Sequence, residues 1–424
     1  MKIIINHLAK MEGHASFIGA LEDGNIARAK IITEEGIRLV EGCLKGKSMY
    51  DAHVITMRIC GICPIVHNLA AIKAMENALG VTVSEQTIKL RKLMELAQLI
   101  HSHSMHLFFL SLPDFFNYDD TRILLRKYPH EAQLAIRLRE FGNQINETIG
   151  GRAIHPLNNW IGGFKLGPSR KSIEDLKPKT EATLKDAINL AEFFAKLKYP
   201  KFERKTEYIS LYQAKEYAIY DGQITTSKGQ KYTIEKFYSK IQEVEERGMM
   251  AKRALWSNAH FMVGALARVN NHGNRLNIEA KKIWQKTCGQ KKVYNPFYNI
   301  LAQAVEVVHC VEEVDKIIQD FLRQDQDKVR LKTEEQKHYK IQASVGLAAV
   351  EAPRGILIHQ YEIDRSGRIV RANIITPTVM FLGNLEDDLA AYLSFTKQMT
   401  EAERRNKIKM LIRAYDPCIS CATH

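Results

Sequence analysis

The pattern of apolar and polar positions changes character near residue 45. Before that point it alternates with period two: HASFIGAL over residues 14–21 and IARAKIIT over 26–33, with Asp23-Gly24 between them. Alternation on both sides of an Asp-Gly pair predicts a β-hairpin. From about residue 49 the apolar positions recur at three and four residues. LRKLMELAQLIHSHSMHLFFL and HEAQLAIRLREFGNQINETI each predict a long helix, the second closed by Gly150-Gly151. In EATLKDAINLAEFFAKL, the residues Leu184, Ile188, Ala191 and Ala195 share one helical face, and Val307, Val311, Val314, Ile318 and Phe321 share another. Short β segments are expected near 205–235, around Asp221-Gly222 and Lys228-Gly229, and YEIDRSGRIVRANII predicts a hairpin over Ser366-Gly367. A last helix, EAERRNKIKMLIRAY, delivers the chain to its end.

These elements predict a mainly α (α+β) fold, a large helix-bundle body with an N-terminal β hairpin region and small β excursions. With no Gly/Ser linker and no internal repeat, residues 1–424 are expected to form a single domain. Its parts are a β region over 1–45 and a helical body over 46–424, with β insertions near 205–235 and 358–378.

The formal charge of +13 raises a nucleic-acid partner as one reading. Lys and Arg are spread along the chain among Asp and Glu, as in SRKSIEDLKPKTEATLKD, so an acidic partner subunit fits better and no nucleic acid is expected. The most apolar stretch, LIHSHSMHLFFLSLPDFF, is interrupted by three histidines and Asp114, so no direct membrane span is expected. The start, MKIIINHLAKMEGH, does not read as an export signal. Seven cysteines, an odd number, point to a reducing cytoplasm rather than a disulfide scaffold.

Four of those cysteines form two Cys-x-x-Cys pairs, Cys60/Cys63 in RICGICPIVH and Cys418/Cys421 in DPCISCATH. Cysteines at this spacing can point both sulfurs at one metal. The pairs are separated by 354 residues, so a shared site would tie the last turn of the chain to the start of the helical body. Soft thiolates select zinc, copper(I), iron–sulfur clusters or nickel. On spacing alone a tetrahedral zinc site stays open. Cys43, Cys288 and Cys310 match no motif. HSHSMH at 101–106 places His103 and His106 on one helical face, either near a site, conducting protons, or simply packed.

RICGICPIVH together with terminal DPCISCATH resembles the large, catalytic subunit of the nickel–iron hydrogenases. MEGH at 11–14, Glu41 in LVEG, GGRAIHP at 150–156, EAPRG at 351–355 and ITPT at 375–378 carry the resemblance from end to end. The EIDRSGRIVRANII stretch and the length are most similar to the multimeric members linked to soluble carriers such as NAD(P), sulfur or viologen. The resemblance implies a Ni-Fe centre with one CO and two CN ligands on iron. Cys60 and Cys418 would bind nickel, and Cys63 and Cys421 would bridge nickel and iron. H2 would split heterolytically there, with the Cys418 sulfur taking the proton and Glu12 receiving it next. Arg354, paired with Asp416, would contact one cyanide; Thr378, after Pro377, would donate to the other; His67 would bond a cysteine sulfur. Glu41, His424 and the Ile374 carbonyl would hold Mg2+. Lys10-Met11 stands where many members have Arg-Ile, so a contact of that arginine differs here.

The resemblance also implies partners: an iron–sulfur small subunit, a flavin/iron–sulfur electron-transfer module, nickel-insertion proteins, and a maturation protease that removes a short tail after His424. The competing expectations are a membrane-anchored energy-converting relative, a metal-free scaffold like the quinone-pocket subunit of respiratory complex I, and a structural zinc protein.

Overall fold

The computed structural model describes residues 2–22, 25–36, 39–118, 120–323 and 339–424. Helices dominate it, with small sheets packed against them. Four long helices, Glu85–Met105, Pro129–Gly150, Lys177–Ala195 and Asn299–Arg323, pack against one another as the bundle. Their ends carry recognisable signals. The Ser84 hydroxyl accepts from Thr87 N at 3.2 Å, and Gly151 closes its helix in a left-handed conformation with φ 78°. Gly142 permits a close crossing: a Cβ there would lie 2.6 Å from the Ala97 carbonyl oxygen of the neighbouring helix.

The helix Pro64–Leu79 is central. It follows Cys63 directly, with Pro64 at its first position, where a missing N–H costs nothing. It is apolar nearly all round, and Ile65, Val66, Leu69 and Ile72 are each 0% exposed. Burial of each such side chain contributes roughly 1.5–3 kcal/mol, which anchors the cysteine loop ahead of it. A three-stranded antiparallel sheet, Ser344–Ala352, Gly355–Ile363 and Ile369–Ile375, packs on this helix. The approach requires Gly346, where a Cβ would fall 1.9 Å from the Ala74 carbonyl oxygen.

The N-terminal strands Lys2–Ile5, Ala15–Glu22 and Asn25–Thr33 form an antiparallel sheet over the helix Pro377–Phe395. The expected turn at Asp23-Gly24 lies outside the described residues. Four expectations are corrected. Val40–Leu44 is helical although it falls inside the predicted β region. The second β insertion begins at Ser344 rather than 358, because residues 348–352 are buried on both faces and leave the strand without a clean alternation. It also ends at Ile375: Pro377 and Thr378 open a helix, which Pro favours at that position. In Lys177–Ala195 the deepest face is Thr183, Ala187, Leu190, Ala191 and Phe194, rotated from the predicted stripe because the aromatic Phe194 wins the core.

Candidate metal centre

The two cysteine pairs meet. Cys60 and Cys63 lead into a helix, with Cys63 as N-cap of Pro64–Leu79, and Cys418 and Cys421 straddle the start of the short helix Ile419–Ala422, with Cys418 as its N-cap. All four sulfurs are buried and lie within 4.8 Å of one another. Cys63 Sγ is 3.3 Å from Cys421 Sγ, and Cys418 Sγ is 3.6 Å from Cys60 Sγ. Among the described residues they form the one group of three or more His, Cys, Asp or Glu side chains close enough to hold a metal together. Neighbouring thiols donating to it, Cys418 first, hold Cys60 well below the usual thiol value, while burial pushes Cys418 well above it. Four crowded sulfurs that cannot share protons evenly are what a multivalent cation relieves.

Glu12 reaches the cluster from the N-terminal region. Its backbone carbonyl accepts from Ile419 N at 2.9 Å, pairing the first motif with the last. Its Oε2 lies 3.0 Å from Cys418 Sγ and accepts from Ser420 N at 3.2 Å. Burial raises the carboxyl above its ordinary value, and the Cys60 charge adds to this. Beyond it, Ser420 Oγ donates to Glu35 Oε2 at 3.2 Å, and Glu35 is half-exposed. Glu35 was not singled out in the sequence, where a lone carboxylate after a strand carries no signal.

Arg354 occupies the tip between strands Ser344–Ala352 and Gly355–Ile363. Its Nε donates to the Asp416 carbonyl at 2.6 Å and its Nη2 to Asp416 Oδ1 at 2.8 Å. Asp416 offers both groups because its backbone is left-handed, φ 53°, a conformation Asp tolerates better than most residues. Gln303 Nε2 donates to the other Asp416 oxygen at 3.1 Å. Arg354 Nη1 is buried with no hydrogen-bond partner among the described residues. It lines a cavity of about 10 Å³ with Cys63, Cys418, Cys421, Pro377 and Thr378. Thr378 Oγ1 accepts from Cys418 N at 3.1 Å, so its own hydrogen is available for another partner. His67 Nε2 faces Cys421 Sγ at 3.7 Å.

A second buried network supports Arg354 from behind. Arg268 donates twice to Glu306, at 2.6 Å each, once to Glu351 at 2.8 Å, and to the carbonyls of Ala352 and Pro353 at 3.0 and 3.1 Å. Burial pushes Glu351 up to about 7. His103 and His106 do share a face: His103 Nε2 meets Glu306 at 3.0 Å and His106 Nδ1 meets Gln303 at 2.5 Å. The Arg268 and Glu306 roles were missed, since nothing local marks a buried ion pair. Cys310 is buried in the core, Cys43 is exposed and Cys288 is intermediate, all away from the cluster.

Near the chain end, Glu41 Oε1 accepts from Ile374 N at 2.6 Å, and His424 Nε2 lies 2.8 Å from the Ile374 carbonyl oxygen and 3.8 Å from Glu41 Oε1. Burial raises Glu41, and a further buried carboxyl, Glu243, feels its charge. Lys10 Nζ donates to the Tyr118 carbonyl at 2.7 Å, away from the sulfurs.

Two Cys-x-x-Cys pairs closed into one buried four-sulfur cluster define a site for a soft metal ion. The family described as nickel-dependent hydrogenase matches residues 38–135 and 204–424. The chain is 33% identical over 432 residues to sulfhydrogenase 1 subunit alpha of Pyrococcus furiosus, covering 100% of this chain and 98% of that protein. It is 26% identical over 469 residues to NAD-reducing hydrogenase HoxS subunit beta of Cupriavidus necator, covering 100% and 94%. The crystal structure of an NAD+-reducing NiFe hydrogenase in the H2-reduced state superposes with a TM-score of 0.88 at 26% identity, covering 100% of this chain and 99% of that one. The nickel–iron–selenium hydrogenase of Desulfomicrobium baculatum shares the fold, with a TM-score of 0.79 at 19% identity over 100% of both chains. The chain belongs to the nickel-dependent hydrogenase family, as a large subunit whose cysteine cluster fits a Ni-Fe site. No helix of the described residues is long and apolar enough to cross a membrane.

Proposed function

We propose that this chain catalyses H2 ⇌ 2H⁺ + 2e⁻ on a Ni-Fe centre held by Cys60, Cys63, Cys418 and Cys421, with one CO and two CN ligands on iron. The carrying observation is the convergence of four buried sulfurs with a carboxyl 3.0 Å from one of them and an unpartnered guanidinium N–H facing the same cavity. The residues fit the group. An unmet buried Arg donor costs about 1–3 kcal/mol, and an anionic ligand such as cyanide would satisfy it. When bound, the metals supply the Lewis acidity that polarises H2 and the redox capacity that accepts its electrons.

The chain's residues do the rest. The Cys418 sulfur is a base already within hydrogen-bond reach of Glu12, whose affinity for protons burial raises above that of an ordinary carboxylate. Ser420 and Glu35 extend that route toward solvent. Arg354 is held still by Asp416, and the carbonyls of the two residues before it are held by Arg268, so its free N–H points at a fixed place. Thr378 presents a hydroxyl to the same cavity. Mg2+ would take Glu41, His424 and the Ile374 carbonyl, with Glu243 close enough to be felt.

Electrons must leave through another chain, an iron–sulfur small subunit. Ile154 and Leu157 are 39% and 42% exposed in the segment that follows the helix Pro129–Gly150. Those exposed apolar side chains suit a docked partner. A flavin/iron–sulfur module, a maturation protease, nickel-insertion proteins and a cytoplasmic setting complete the reading, with residues 1–424 acting as one domain. A zinc site would leave Arg354 and Glu12 without a purpose, and a metal-free scaffold would have no use for four converging thiols.

The test is an infrared spectrum of the anaerobically purified protein with metal analysis. One CO band, two CN bands, nickel and iron are expected. Zinc or no metal, with no such bands, would refute the reading.

A further inference from the structure

Behind Cys421 runs a chain of buried polar side chains. His67 Nε2 faces Cys421 Sγ at 3.7 Å, and His67 Nδ1 lies 3.2 Å from His359 Nε2. His359 Nδ1 in turn lies 2.7 Å from the Tyr361 hydroxyl. His67 is 1% exposed, and His359 and Tyr361 are 0% exposed. His67 sits on the helix that starts at the first cysteine pair. His359 and Tyr361 are two residues apart on the strand Gly355–Ile363 and so share its face toward that helix.

We infer that His359 and Tyr361 are positioning residues that set the tautomer of His67, so that its Nε2–H donates to the Cys421 sulfur. The inference rests on the reading of Cys421 as a metal-bound thiolate.

A neutral imidazole has one N–H and one lone pair. Each contact in the chain needs one hydrogen, so the whole chain runs in one of two directions. In the inward direction Tyr361 O–H donates to His359 Nδ1, His359 Nε2–H to His67 Nδ1, and His67 Nε2–H to Cys421. In the outward direction every hydrogen points away from the metal, and Tyr361 must donate to Thr56, its neighbouring hydroxyl. Thr56 does not donate back, because its hydrogen is used on the Ala52 carbonyl at 2.8 Å.

The sulfur decides between them. A thiolate bound to metal carries no hydrogen. Outward, the His67 lone pair would face that thiolate, two acceptors opposed in a dry pocket. Inward, the sulfur and both imidazoles are satisfied. Burial keeps His359 neutral, well below the ordinary imidazole value. A donor on the sulfur withdraws electron density from the metals, so this chain would tune them from a distance.

Nitrogen NMR of the holoprotein labelled in histidine reads the tautomers directly. The expected result is Nε2–H on both His67 and His359. Nδ1–H on either ring, or both nitrogens of His67 protonated, would overturn the inference. Infrared bands provide the functional readout. Tyr361→Phe removes the first donor, so the CO band is expected at lower wavenumber, the direction of greater electron density on iron. His67→Leu should shift it the same way, and adding Tyr361→Phe to His67→Leu should shift it no further. Thr56→Val should leave the band in place, since the inward chain does not use Thr56. A band moved by Thr56→Val and not by Tyr361→Phe would overturn the inference while leaving the Ni-Fe reading intact. Absence of all such bands in the unsubstituted protein would overturn both.

Discussion

Glu12 Oε2 stands 3.0 Å from Cys418 Sγ, and the two residues are 406 positions apart. The same pair is joined through the backbone, since Glu12 O accepts from Ile419 N. The carboxyl and the sulfur are thus held in register by main-chain geometry, not by two flexible side chains meeting by chance. Position fixed this way is worth more than the bond itself, because proton transfer needs a short, aligned contact.

Glu12→Gln keeps the shape and the backbone contact and removes the proton carrier. Nickel and iron content should be unchanged. H/D exchange between H2 and water should fall by a factor of about 10²–10⁴. Exchange at the parent rate would take Glu12 off the route.

Arg354→Lys keeps the charge but loses the two-pronged contact to Asp416 and the free Nη1 arm. H2 oxidation with an artificial dye is expected to drop about 100-fold, a barrier increase of roughly 3 kcal/mol, with metals retained. Turnover equal to the parent's would show that the fork is dispensable.

Removing His424 deletes the ring between the Cys421 and Ile374 carbonyls, at 2.6 and 2.8 Å. The last turn should loosen by about 1–3 kcal/mol. Nickel should then be lost faster to a chelator, followed by metal analysis over time. Unchanged retention would make the terminal histidine ornamental.

Acid should destabilise the chain from pH 6.5 downward. Burial lowers His53 to about 3 and His101, His272 and His309 each to about 4. The folded state keeps these rings neutral, while the unfolded chain protonates them near 6.5, so the unfolded state binds more protons as pH falls and stability declines. For the deeply buried His53 and His309 the shifts correspond to roughly 3–5 kcal/mol each. Glu351, raised to about 7, and Asp388, raised to about 6, act in the opposite sense, gaining stability as pH falls through those values. Glu95, raised well above the carboxylate range by burial, joins the carboxyls, while His103, His155 and His359, also lowered by burial, join the histidines, which remain the larger set of strongly shifted groups. Urea unfolding at pH 7, 6 and 5 should give falling midpoints, and a midpoint that rises toward pH 5 would contradict this balance.

Much of the architecture was legible because its signals are local. Period-two alternation marked the N-terminal hairpin, and spacing of three and four marked the helices Glu85–Met105, Pro129–Gly150 and Asn299–Arg323. The misses have physical causes. In Ser344–Ala352 the residues 348–352 are covered on both faces, so the strand shows no clean alternation. Val40–Leu44 is too short for periodicity to register. Arg268, Glu306, Gln303, His359 and Glu35 each bond partners distant in sequence, and a single polar residue on a helix or strand looks the same whether it faces water or a buried ion.

What the sequence by itself determined was the donor chemistry: two Cys-x-x-Cys pairs, a carboxylate in MEGH and an arginine in EAPRG, each in a local context that places it at a helix start or a turn. Only the tertiary structure decided that these groups converge. Bringing Cys60 within 3.6 Å of Cys418, and Glu12 within 3.0 Å of the same sulfur, depends on the packing of Pro64–Leu79 against the sheet at Gly346 and on the N-terminal sheet over Pro377–Phe395. Periodicity specifies which face of an element is buried. It does not specify which other element will bury it, and that pairing is where the site is made.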